Sequence, residues 1–143
     1  MANQFEQQLG YYQAILEEGT DIEIDSADTW LATELTVTTL DTYNTQTYRG
    51  APKILVKGLW KFDMSFTMQG ATNNDLGFRI GGGTIGQQAY LIWNARGGNN
   101  WSLNYSALIN VPENENISYY FNNFDSDNNI TMKSGIFTAI RLY

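Results

Sequence analysis

Fifteen carboxylates and no histidine or cysteine set the limits of the chemistry open to this chain. Without an imidazole or a thiol, Ser–His and Cys–His nucleophile pairs, histidine metal sites, thiolate sites and disulfides are all excluded. What remains is carboxylate chemistry. Asp25 with Asp28, and Glu113 with Glu115, are close enough in sequence to divide acid and base roles as glycosidases do. Both pairs fall in segments that read as turns, where acids are ordinary solvated residues. The run DSDNN, Asp125 to Asn129, opens like a D-x-D-x-N calcium loop. Its sixth position is Ile130 where the sharp turn needs Gly, and its twelfth is Ile136 where a bidentate Glu is needed. A polar turn is the stronger reading, with a weak calcium site at the loop tip as the alternative. GGGTIG, Gly81 to Gly86, matches G-x-G-x-x-G, but a dinucleotide site also needs a following helix and an acid about twenty residues on. QQAYLIW reads as a strand and position 106 is Ser106, so a glycine-rich hairpin is expected. The sequons at Asn100, Asn104, Asn116 and Asn129 are what chance produces in a chain so rich in Asn, Ser and Thr. No enzymatic activity and no cofactor are expected.

The elements that must position any site are strands. LWKFDMSFTM, Leu59 to Met68, alternates without a break: Trp60, Phe62, Met64, Phe66 and Met68 share one face, and Lys61, Asp63, Ser65 and Thr67 share the other. Such a strand has one buried and one wet face, as in an antiparallel sandwich. Further strands are expected at Ile22–Ile24, within Thr29–Leu40, and at Gly77–Ile80, Gln88–Trp93, Trp101–Val111, Ile117–Phe121, Asn129–Met132 and Ile136–Tyr143. Turn-forming clusters separate them (QGATNND, GGGTIG, ARGGNN, PENEN, NFDSDNN). Many short strands at regular spacing predict a two-sheet sandwich or jelly roll over residues 21–143. Residues 1–20 read differently. Phe5, Leu9, Tyr12 and Leu16 recur at spacings of four, three and four, one face of a helix that Gly10 weakens and Gly19 is placed to end. The expectation is a short N-terminal helical arm, either packed on its own domain or docked on a neighbour.

The 143 residues suit one domain with one core. At 43% hydrophobic and 16% charged the composition is globular. The net charge of −7 repels phosphate backbones and anionic membrane surfaces, so neither nucleic acid nor membrane is expected as a partner. MANQFEQQLG has no basic n-region and no apolar h-region, so synthesis in the cytoplasm without signal-peptide export is expected. Aromatics, at 14%, are the real excess. Trp30, Trp60, Trp93 and Trp101 are expected to fill the core. Tyr119 and Tyr120 are adjacent on one strand, so one of them must face outward, with Tyr90, Tyr105 and Tyr143 as further outward candidates. Outward aromatics on a sheet mark a protein interface or a surface on which sugars stack. The partner-binding candidates are therefore Phe5, Leu9, Tyr12, Leu16, Tyr119, Tyr120 and Tyr143.

GLWKFDMSFTMQG resembles the central strand of trimeric jelly rolls of the tumour-necrosis-factor and complement globular-head type, where a G-x-[WY]-x-[FIV] start opens an alternating run. MKSGIFTAIRLY resembles their last strand, and phage virion proteins with this jelly roll often end in a similar segment. The resemblance covers residues 21–143 and brings no catalytic or ligand motif. It lacks the bridging cysteines of some relatives, which argues against a cytokine role. What it implies is a homotrimer used as a structural virion protein: a decoration or cement protein on a phage capsid surface, bound to the major capsid protein or another virion protein. The alternatives are a fibre tip that binds a receptor or host-surface glycan, and a non-viral trimeric binding module.

Overall fold

The computed structural model describes residues 9–96 and 100–143. Twelve strands form in chain order: β1 (Tyr11–Leu16), β2 (Thr20–Ile22), β3 (Leu31–Thr33), β4 (Val37–Tyr43), β5 (Thr45–Tyr48), β6 (Ala51–Ile54), β7 (Gly58–Gly70), β8 (Asp75–Gly82), β9 (Gly86–Asn94), β10 (Trp101–Val111), β11 (Glu115–Asn123) and β12 (Ile130–Arg141). One sheet runs β10-β7-β12-β1-β4, with β2 also on β12; the other runs β5-β6-β11-β8-β9, with β3 on β11. Every pairing is antiparallel. This is the expected two-sheet jelly-roll sandwich.

The alternation of β7 holds: Trp60, Phe62, Met64, Phe66 and Met68 are all buried. The rings they present interlock with rings from the facing sheet. Phe66 meets Phe137 of its own sheet at 5.1 Å, and Phe78 and Phe121 of the other at 5.9 and 6.4 Å. Phe78 in turn meets Tyr105 edge-on at 4.9 Å, and Tyr119 meets Phe137 at 5.4 Å. Edge-to-face pairs of this kind add about 0.5–1.5 kcal/mol each beyond area burial. Of the four tryptophans only Trp60 is fully buried, its indole N–H donating to the Val56 carbonyl at 3.1 Å. Trp93 and Trp101 are half-buried and face each other at 5.3 Å, and Trp30 lies on the outside of the second sheet, so the expectation that all four fill the core is corrected.

The helical arm is also corrected. Among the described residues there is no helix, and Tyr11–Leu16 is a strand inserted between β12 and β4. A spacing of four, as from Tyr12 to Leu16, is even as well as helical, so a period of two fits it equally. Tyr12, Ala14 and Leu16 enter the core, and each backbone group gains a sheet partner that a marginal short helix could not match. Gly10 is the seat of Trp60, because a Cβ there would collide with the indole. Phe5 lies outside the described residues. The two final strands expected at Asn129–Met132 and Ile136–Tyr143 are one, β12, with a bulge between Met132 and Ser134. Asn123 organises the DSDNN loop: its Oδ1 accepts from the Asp125 and Ser126 amides and its Nδ2 donates to Asn74 and Asn128. Asp125 accepts from the Asp75 amide at 2.6 Å. These contacts describe a polar turn.

GGGTIG is the β8–β9 hairpin, and it cradles a carboxylate of its own chain. Glu115, almost fully buried, accepts from the Thr84 amide at 3.0 Å and the Ile85 amide at 3.2 Å. The loop's free N–H groups are thereby satisfied, which removes Glu115 from any pairing with Glu113. Glu115→Ala would strand those amides and should cost about 1–3 kcal/mol, read as a lowered urea midpoint, with Glu115→Gln losing less because an acceptor oxygen survives.

Burial raises the Tyr105 and Tyr119 hydroxyls above their ordinary pKa, with Tyr12 adding to the effect at Tyr119. Tyr12 is raised mainly by burial and held back by the hydroxyls of Thr47 and Thr39. A raised folded-state pKa gives stability that is complete below the unfolded value near 10 and is lost as pH climbs, because only the unfolded chain can then ionise. Unfolding free energy should therefore fall above pH 10 by about 1.4 kcal/mol per pH unit for each such tyrosine. Denaturant titrations at stepped alkaline pH check this, and Tyr119→Phe should make the slope shallower.

Candidate functional site

The outward face of the β10-β7-β12-β1-β4 sheet gathers most of the exposed large apolar side chains. Register places them in rows across the strands. One row reads Thr38, Ile15, Ile136, Ser65, Asn104 from β4 to β10. The next, polar, reads Asp41, Gln13, Thr138, Asp63, Ser106, and the third reads Tyr43, Tyr11, Ile140, Lys61, Leu108. Beyond it the chain ends in Leu142 and Tyr143, with Leu59 and Asn110 alongside. Ile15, Ile136, Ile140, Tyr43, Leu142, Leu108 at 60% and Tyr143 at 79% are all open to solvent. Five strands at about 4.8 Å make a platform roughly 20 Å wide, a size at which exposed apolar surface marks an interaction site.

Several polar groups of these rows are bonded to one another. Ser106 donates to Asp63 Oδ1 at 2.7 Å, Ser65 donates to Asn104 Oδ1 at 2.8 Å, and the Tyr11 hydroxyl donates to Gln13 Oε1 at 3.0 Å. Lys61 reaches Asp63 at 3.5 Å, an exposed pair worth little on its own. These bonds occupy groups that would otherwise lose water without compensation when the face is covered. Two open hollows flank the rows. One, of about 350 Å³, lies between Ser65, Asn104, Ser106, Ile136 and Thr138. The other, of about 470 Å³, lies at the end of the sheet between Leu59, Val111, Pro112, Arg141 and Tyr143. Among the described residues no group of three or more acids could hold a metal ion.

The sequence-derived candidates divide. Tyr143 stands on this face, and Leu9 is exposed just before β1. Tyr12, Leu16 and Tyr119 are buried in the core, which leaves a partner nothing to touch there, and of the adjacent tyrosines it is Tyr120 that faces outward, against Arg79. Tyr105 is buried and Tyr90 exposed. Sequence reasoning missed Ile15, Ile136, Ile140 and Leu108. The signal was present, since these are the off-phase apolar residues of strands whose other phase is also apolar, as expected of strands covered on both sides.

No family model matches the sequence, and no curated protein matches it. Solved structures do match in shape. Eiger TNF from S. frugiperda superposes with a TM-score of 0.66 at 8% identity, over 94% of this chain and 94% of that one. The globular domain of zebrafish complement 1qA superposes at 0.60 and 12% identity, over 94% and 97%. The PRD1 vertex protein P5 superposes at 0.59 and 14% identity, over 94% of this chain and 73% of its own. At such identities the likeness is one of fold alone, and the fold is the jelly roll shared by tumour-necrosis-factor and complement globular-head domains.

Proposed function

We propose that this protein is a structural virion protein, a homotrimer that decorates a phage capsid surface by binding the major capsid protein or another shell component, and that it acts by assembly and not by catalysis. The observation that carries the reading is the banded apolar face centred on Ile15, Ile136 and Ile140. An exposed apolar platform on a single chain is costly unless something covers it. A second copy is the natural cover, because a three-fold assembly joins two different patches and closes on itself. The shape likeness to a vertex protein supports the virion setting, and the acidic, weakly charged shell suits a protein added to the outside of a particle. Three copies in one assembly would multiply weak shell contacts by effective concentration. The second reading is a receptor-binding fibre tip, favoured by Tyr90 and Ile92, which are exposed on the opposite sheet.

Light scattering on the purified chain should give three times the monomer mass at micromolar concentration. Ile136→Glu with Ile140→Glu should shift it to monomer without unfolding, each lost burial weakening association by about 1.5–3 kcal/mol. A wild-type monomer would sink the trimer. Co-sedimentation with capsids from the same source tests the decoration reading separately: the trimer should pellet with capsids, and binding to host cells in its place would favour the fibre tip.

A further inference from the structure

The second sheet carries a cation in an aromatic enclosure. On its outward face β8 presents Gly77, Arg79 and Gly81 in alternation. The Arg79 guanidinium lies 4.2 Å from the centre of the Trp30 ring, 5.3 Å from Tyr120 and 5.4 Å from Tyr90. Both glycines are needed to build the enclosure. A Cβ on Gly77 would lie 2.6 Å from the Trp30 ring, and one on Gly81 would lie 2.8 Å from the Tyr120 ring. A bulge opposes two residues of β9, one of them Tyr90, to Arg79 alone, a device that re-aims side chains beside functional sites.

The cation in this enclosure is short of acceptors. Among the described residues Arg79 makes no ion pair, and its hydrogen bond is a long one from Nη1 to the Tyr90 hydroxyl at 3.4 Å. Among the same residues its buried Nε has no acceptor. On the same face, paired with Gly77, the fully buried amide of Asn122 also has no partner on either polar atom among the described residues. Two unsatisfied polar side chains a diagonal step apart are rare in a folded protein and mark a place built for a polar guest. The nearest outward carboxylate on the strand, Asp75, accepts from Asn94 Nδ2 at 2.7 Å.

We propose that Arg79, flanked by Trp30, Tyr90 and Tyr120, is a binding site for a carboxylate-bearing sugar. A guanidinium fork matches a carboxylate, and stacking on aromatic rings holds the fork in place. Tyr90 at 58% and Ile92 at 60% exposure extend the site with an apolar platform for the C–H face of a sugar ring. An acidic peptide fits less well. It would bring several carboxylates to one cation on a chain of net charge −7. The site lies on the sheet opposite the assembly face, so it stands or falls independently of the trimer and decoration readings.

The test is an NMR titration of the intact protein that follows the Arg79 Nε–Hε signal. Glucuronate should shift it saturably in the millimolar range expected of a single-anchor ligand. Glucose, which has the same ring without the carboxylate, and acetate, which has the carboxylate without the ring, should each bind at least about tenfold more weakly. Arg79→Gln should lose binding by at least about tenfold while the remaining spectrum and the oligomeric mass stay unchanged, and Arg79→Lys should recover only part of it. Failure of glucuronate to shift the signal saturably would overturn the proposal. So would equal binding of acetate, equal binding of glucose, or tighter binding of an acidic peptide than of the sugar.

Discussion

The interlocking of Phe66 with rings from both sheets is the contact on which the architecture depends. β7 and β12 supply Phe66 and Phe137, β8 and β11 supply Phe78 and Phe121, and the four meet in one network of edge-to-face and tilted rings across the sandwich. Because strand side chains alternate, fixing these rings inward fixes every neighbour outward. A slip of one residue in β7 would expose Trp60 and Phe66 and bury Lys61 and Asp63. The identity of the outer faces is thus a by-product of the core's register.

That dependence explains what was legible in the sequence. The alternation in Leu59–Met68 gave both the strand and its buried face, and turn clusters separated the later strands. The N-terminal segment was not legible, because Tyr12 and Leu16 satisfy a helical and a strand period together. Only the sheet, with β12 on one side and β4 on the other, decides between them. The split of the last strand into two failed for a related reason: Lys133–Ser134–Gly135 reads locally as a break, while the structure absorbs it as a bulge. The hairpin at Gly81–Gly86 was legible as a hairpin. Its use as a cradle for Glu115 was not, since contact between positions thirty residues apart has no local signature.

The two outer faces differ in kind. The first is broad and banded, and several of its polar groups are bonded to one another, so covering it strands fewer of them. The second carries a small site in which, among the described residues, Arg79 Nε and the Asn122 amide lack partners and rings confine a cation. Broad self-satisfied surfaces suit protein–protein contact, and compact under-satisfied ones suit small ligands. A jelly roll can hold both because its two sheets turn their backs to each other.

The placement of β12 also constrains how the chain is made. β12 lies between β7 and β1, so the first sheet stays split until Ile130–Arg141 has left the ribosome. Until then β1 lacks one neighbour and β7 exposes an unpaired edge with Phe62, Met64 and Phe66 beside it. Such an edge is open to pairing with the wrong chain. Closure of the sheet joins strands more than a hundred residues apart in sequence, and long-range pairing of this sort folds slowly. The interval before β12 arrives is therefore when a nascent chain of this protein is most open to mispairing.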